Sequence, residues 1–260
     1  RSQGLYKPSL VIDKSRLDHN IQRLKAHLPA SMNYRIVAKS LPSFDLLRYV
    51  AEQTNTNRLM VFHQPFIKLL AEQMPNADLL LGKPMLVGAA EQTYKALANA
   101  PLFNPDTQIQ WLIDTEERLG EYQRLAQQLN RPMRVNLELD VGLHRGGFVS
   151  STSDDPHESQ QSFIRALELI RDDSRLQLAG FMGYEPHIVK IPEVVGGGAK
   201  AFDKAQAIYQ ARLDTAQNVF RGKLDFSKLT LNSGGSGTFQ LYDGENSPAN
   251  ELSMGSGLVM

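Results

Sequence analysis

Tyr34-Arg35-Ile36-Val37-Ala38-Lys39-Ser40 is an apolar run that closes on an amine. A strand of this kind ordinarily ends in a turn residue. A lysine in that place is either a surface side chain whose stem lies along apolar neighbours or an amine held at the mouth of a core. In the second case it loses hydration, its pKa falls, and more of it is the neutral nucleophile that condenses with an aldehyde. Lys39 is therefore a candidate Schiff-base lysine, and the choice between the two readings rests on the fold of the surrounding chain.

Short apolar, β-rich runs recur on both sides of this one. Candidate strands cover residues 34–39, 58–62, 78–81, 109–114, 134–140, 176–182, 228–232 and 251–254. Between them the helical period appears over 43–54, 64–73, 86–99, 115–129, 158–172 and 199–221. Ser43 followed by Asp45, and Thr115 followed by Glu116 and Glu117, are usable amino-terminal caps. Runs such as Leu79-Leu80-Leu81 and Trp111-Leu112-Ile113 have no polar face, which predicts strands covered on both sides in a parallel sheet. Eight βα units in about 250 residues is the rhythm of a closed (β/α)8 TIM barrel. A doubly wound open sheet is the alternative, but it usually carries a glycine-rich turn after the first strand, which is absent here. Residues 9–13 read as one more strand, followed by a helix over 15–27 capped by Ser15. Residues 1–30 thus form a strand-helix extension outside the barrel count.

Composition bounds the function. The chain has 260 residues, of which 42% are hydrophobic, enough for a sizeable core. Its 28 basic and 28 acidic residues cancel, which leaves no electrostatic footprint for nucleic acid or an anionic membrane. Small, uncharged or zwitterionic partners are expected. Without cysteine there is no disulfide, thiolate catalysis or zinc-thiolate site in this stretch, and a reducing cytoplasm is compatible. No run approaches the roughly 18 apolar residues of a membrane span, and the start has no signal-peptide core. Beginning at Arg1 and stopping inside the strand-like Leu258-Val259-Met260, the sequence reads as a piece of a longer protein.

In a barrel of this kind the chemistry belongs at the carboxyl ends of the strands. The groups there are Lys39, His63, Gly82-Lys83, Asp114, residues 140–145, residues 184–187, residues 232–238 and residues 253–257. Asn232-Ser233-Gly234-Gly235-Ser236-Gly237-Thr238 is either a flexible turn or a nest of converging backbone amides for a phosphate. Its place after the seventh strand favours the nest, and Met254-Gly255-Ser256-Gly257 after the eighth adds a second backbone-exposing turn beside it. Gly196-Gly197-Gly198 follows no strand and reads as a mobile loop that could serve as a lid. Arg145, flanked by small residues, either approaches a ligand oxygen or pairs with Asp140 at the surface. Tyr184 and His187 offer a phenol and an imidazole that could stack on a planar ring or move a proton. His63 is a further candidate near a substrate, or a packed histidine.

In order, Ser9-Leu10-Val11-Ile12-Asp13, Ala38-Lys39-Ser40, Asp140-Val141-Gly142-Leu143-His144-Arg145-Gly146-Gly147, Gly183-Tyr184-Glu185-Pro186-His187 and Ser233-Gly234-Gly235-Ser236-Gly237-Thr238 resemble the amino-terminal barrel of the alanine racemase superfamily. Within it the chain is most similar to the D-threonine aldolase and D-serine dehydratase branch, over essentially its whole length. The resemblance implies a fold-type III pyridoxal 5'-phosphate enzyme whose Lys39 forms the Schiff base with the cofactor. It implies that Arg145 contacts the cofactor's phenolic oxygen and that Ser233, Gly234, Gly235, Ser236, Gly237 and Thr238, with Gly255 and Ser256, hold the phosphate. Tyr184 or His187 would lie near the ring and take part in catalysis. Ser253 stands where the superfamily faces the pyridine nitrogen with arginine in racemases and glutamate in decarboxylases. A neutral hydroxyl there argues against decarboxylation, although Glu251, two residues away on the same strand face, could intervene.

The implied activity is lysis of a D-3-hydroxy amino acid. Racemisation of the alanine racemase type, or a non-catalytic homeostasis protein that carries the cofactor, are the alternatives. In the lyase branch a divalent metal is held by a β domain that follows the barrel, so any metal ligands are expected beyond Met260 and none within this chain. A homodimer is compatible with the resemblance.

Overall fold

The computed structural model describes residues 10–41, 43–98, 100–149, 155–192 and 197–260. Eight parallel strands close on themselves in chain order: β1 (Asn33–Val37), β2 (Arg58–Val61), β3 (Asp78–Leu81), β4 (Ile109–Ile113), β5 (Met133–Leu139), β6 (Leu176–Gly183), β7 (Thr230–Ser233) and β8 (Glu251–Met254). Closure is made by β1, which pairs with β2 through Ile36 and Leu59 and with β8 through Arg35 and Ser253. The strands are short and apolar because each is covered twice, by the barrel interior and by the outer helices. All five residues of β4 are buried.

The outer layer consists of α1 (Lys14–His27), α2 (Phe44–Thr54), α3 (Gln64–Gln73), α4 (Val87–Leu97), the short α5 (Pro105–Gln108), α6 (Glu116–Leu129), α7 (Pro156–Asp172) and α8 (Gly197–Phe220). The expected caps are in place: Ser43 accepts from the Leu46 amide and Thr115 from the Arg118 amide. Helices α2 and α6 stop at Asn55 and Asn130, both in the left-handed conformation that asparagine tolerates. No helix among the described residues is long and apolar enough to cross a membrane.

Three expectations are corrected. Residues 10–13 form no strand; Leu10 and Val11 are exposed, without a partner edge among the described residues, and Ser9 lies outside those residues. Helix α1 is capped by Asp13 rather than Ser15, because the Asp13 carboxylate takes the Ser15 and Arg16 amides at 2.9 and 3.2 Å and the Ser15 hydroxyl as well. Gly197 and Gly198 open α8 instead of lying in a loop, while Gly196 is outside the described residues.

The lower interior of the barrel is ionic. Arg35, fully buried, uses all five of its donors: Nε and one terminal nitrogen on Glu251, that nitrogen also on the Asp78 carboxylate, and the other on the Leu59 and Asp78 carbonyls. Arg58 adds a second guanidinium to Glu251 at 2.9 Å. This layer fills the amino-terminal end of the barrel interior.

Candidate active site

A cavity of about 310 Å³ opens at the carboxyl ends of the strands. Lys39 reaches it from a single 3-10 turn, Ala38–Ser40, since β1 itself ends at Val37. Its Nζ lies 4.4 Å from the centre of the Phe62 ring, and the lysine lines the cavity mouth as a solvent-exposed residue. Partial burial, then the positive charges of Arg145 and Lys83, hold its pKa below the ordinary lysine value.

Arg145 faces the same cavity. Its expected carboxylate partner, Asp140, is engaged elsewhere: it folds over its own turn to accept the Gly142 and His144 amides and lies 2.8 Å from His144 Nδ1. The guanidinium instead donates to Glu138 Oε1 at 2.7 Å and stacks 4.8 Å from the centre of the Tyr184 ring. Glu138 is buried on β5, and that burial lifts its pKa while Arg145 pulls it back down. Arg145 is thus clamped from two sides with its remaining donors free to meet a ligand.

The two Ser/Gly turns meet along the same cavity. Ser236 Oγ accepts from the Gly257 amide at 2.9 Å and from the Ser256 hydroxyl at 3.0 Å, which welds the turn after β7 to the turn after β8. Gly255 is required here: a Cβ would lie 2.6 Å from the Val37 carbonyl. Gly234, Ser236, Gly237, Gly255 and Ser256 line the cavity. Ser233, Gly235 and Thr238 do not. The Thr238 hydroxyl donates to Glu185 at 2.7 Å, Ser233 Oγ lies 3.1 Å from the same carboxylate, and Gly235 sits under the Tyr184 ring.

Ser253 lies on the cavity floor. Asn232 Nδ2 donates to Ser253 Oγ at 2.8 Å and to Glu251 Oε1 at 2.7 Å. Glu251 therefore serves Arg35, Arg58 and Asn232 and does not reach over Ser253. Tyr184 lines the cavity, with burial raising its phenol pKa. His187 does not line it; its ring lies against Gly142, its Nδ1 is buried without a partner, and burial lowers its pKa. His63 is exposed at the start of α3, edge-on to Phe66, away from the cavity.

Sequence reasoning missed Glu138 and Glu185. Glu138 left a signal, a charged residue inside an otherwise apolar strand, whereas nothing beside Glu185 marks it for full burial. Among the described residues no group of three or more histidine, aspartate or glutamate side chains is arranged to hold a metal. An amine with a lowered pKa, a clamped arginine and a cradle of two Ser/Gly turns, in which Gly255 leaves no room for a Cβ, line one cavity and fit an anionic aldehyde of cofactor size.

No curated protein matches the sequence. The chain superposes on D-threonine aldolase from Filomicrobium marinum with a TM-score of 0.71 at 18% identity, covering 98% of this chain and 62% of that one. A variant of D-threo-3-hydroxyaspartate dehydratase in the metal-free form gives 0.75 at 15% identity, with 98% and 62% covered. Alanine racemase of Clostridium difficile 630 gives 0.69 at 16%, with 95% and 57% covered. The chain thus spans about three fifths of the length of these structures, and at such identities the likeness establishes the fold. The family model for the alanine racemase N-terminal domain matches residues 12–260, and the chain belongs to that family.

Proposed function

We propose that this chain is the cofactor-binding barrel of a pyridoxal 5'-phosphate-dependent lyase acting on D-3-hydroxy amino acids, of the D-threonine aldolase or D-serine dehydratase type. The observation that carries the reading is that Lys39 and both Ser/Gly turns line one cavity. The fold-type III relatives, an aldolase and a dehydratase among them, support the class of chemistry.

In this reading Lys39 holds the cofactor covalently, the turns at Ser236–Gly237 and Gly255–Ser256 take its phosphate, Arg145 its phenolic oxygen, and Ser253 its ring nitrogen. When bound, pyridoxal phosphate supplies an electron sink that weakens the bonds at the amino acid's Cα. The protein's own contribution is position and proton traffic. Lys39, its pKa lowered by desolvation and then by Arg145 and Lys83, gives up a proton at Nζ more readily than an unperturbed lysine. Arg145 is fixed by Glu138 and Tyr184, so little ordering remains to be done when it meets a ligand. Ser253, served by Asn232, puts a neutral oxygen on the floor, and the carboxylate beneath it is spent on two arginines, which supports setting decarboxylation aside.

The test is reconstitution with pyridoxal phosphate, borohydride reduction and peptide mapping, followed by assays on D-threonine and D-serine. A pyridoxyl label on the Lys39 peptide, lost in Lys39→Ala, is the expected result. Labelling spread over other lysines, or none at all, would sink the proposal.

A further inference from the structure

Glu185 has no role in the chemistry above, yet it is a fully buried carboxyl group beside the cavity. It stands between Tyr184 and Pro186, which both line the cavity. No cation pairs with it among the described residues. Its oxygens meet neutral groups only: Thr238 Oγ1 at 2.7 Å, Ser233 Oγ at 3.1 Å, the Gly234 amide at 3.3 Å and the Tyr242 hydroxyl, while Ser233 Oγ also lies 3.0 Å from the Gly183 carbonyl. The Tyr242 hydroxyl closes the cluster, 2.8 Å from Ser233 Oγ.

Apart from Tyr242, these groups come from Ser233 at the end of β7 and from the turn that follows it, the stretch whose serine and threonine the sequence offers to a phosphate. A buried carboxyl group without a counter-ion is costly to keep unless hydrogen bonds repay it. Here the bonds it collects add a side-chain anchor to a turn whose own backbone bonds run from the Thr238 and Phe239 amides to the Gly235 carbonyl. The Gly234 amide points inward to Glu185, and the left-handed φ of 76° at Gly234 bends the chain after it. With both ends of the turn drawn inward, the stretch between them, Ser236 and Gly237, is left facing the cavity and docked on Ser256 and Gly257.

We infer that Glu185 is the positioning residue of the anion cradle: it touches no ligand, but it holds the turn at Ser233–Thr238 in the shape that presents Ser236 and Gly237 to a phosphate. The inference rests on the cavity being a pyridoxal phosphate site. It also reassigns the Ser233 and Thr238 hydroxyls, which serve Glu185 and not the ligand.

The experiment uses two probes that differ only by the phosphate and carry no aldehyde, deoxypyridoxine phosphate and deoxypyridoxine, so that binding is independent of Lys39 chemistry. Affinities are measured by calorimetry on the wild type, Glu185→Ala and Glu185→Gln. The expected result is a loss of about tenfold or more for the phosphate compound in Glu185→Ala, no change for deoxypyridoxine, and recovery in Glu185→Gln, whose amide can still bridge the turn. An equal loss for both probes would make Glu185 a general structural residue and overturn the inference, as would an unchanged ratio in a folded variant. If Glu185→Ala does not fold, Thr238→Val removes the 2.7 Å bond and is judged by the same ratio. Weak binding of both probes to the wild type would overturn the cofactor reading and this inference with it; phosphate selectivity in the wild type that survives Glu185→Ala would overturn this inference alone.

Discussion

Arg35→Met separates the buried ionic layer from an ordinary surface ion pair. The guanidinium has no exposed atom and spends five donors on Glu251, Asp78 and two carbonyls, so its removal strands several acceptors at once. Glu251, equally buried, is left with Arg58 and Asn232. Breaking a buried pair by deleting one partner costs about 3–5 kcal/mol, because the remaining charge loses its compensation without gaining water. For a domain of this size each kilocalorie moves the melting midpoint by about 2–4 °C, so the variant is expected to melt about 6–20 °C below the wild type. The double variant Arg35→Met/Glu251→Leu removes the stranded charge together with its partner and should be more stable than the single variant. Urea unfolding followed by circular dichroism at neutral pH gives all three values. A single variant within about 1 kcal/mol of the wild type would mean that water reaches Glu251 and that the buried layer is misread.

Gly255→Ala should weaken binding of any phosphate compound and cost about 1–3 kcal/mol of stability by overpacking, since the new Cβ would press on the Val37 carbonyl; unchanged phosphate affinity by calorimetry would contradict the close approach. Glu138→Gln removes the charge that offsets Arg145, so the field at Lys39 grows more positive and the pH profile of reductive pyridoxylation should shift to lower pH. An unmoved profile would disconnect the two groups. Burial raises the pKa of Glu185, so the wild type is favoured by a bound proton and loses that stabilisation as pH rises through the folded-state value. Glu185→Gln cannot ionise there, and its stability relative to the wild type should rise with pH; a constant difference in urea midpoint across the acidic to neutral range would refute this. Asp13→Ala should destabilise the fold by about 1 kcal/mol by uncapping α1, whereas Ser15→Ala should cost less.

The barrel was legible because its signals are local. Strands covered on both faces read as unbroken apolar runs, and the helix caps at Ser43 and Thr115 are set by side chains three residues from the amides they satisfy. Where two local candidates competed, the reading went wrong. Asp13 and Ser15 both suit a cap, and the carboxylate wins because it accepts two amides and the serine hydroxyl together. The run at residues 10–12 has strand composition, but a strand requires a partner edge, which sequence alone does not disclose. Arg145 illustrates the same limit: the nearer acid in the chain, Asp140, is satisfied within its own turn, and the acid that clamps the arginine lies further back, inside β5.

The chain alone determined the succession of strands and helices, the neutral charge balance and the presence of an amine and two glycine-serine turns at strand ends, because each follows from residue type and spacing. Only the closed barrel decided that β1 lies beside β8, which brings Lys39 to the turn at Gly255 although more than two hundred residues of chain separate them. Tertiary packing likewise decided which hydroxyls face the cavity and which turn inward to Glu185. A side chain's identity fixes what it can donate or accept, but the partner it meets is chosen by elements that fold against it from far away in the chain.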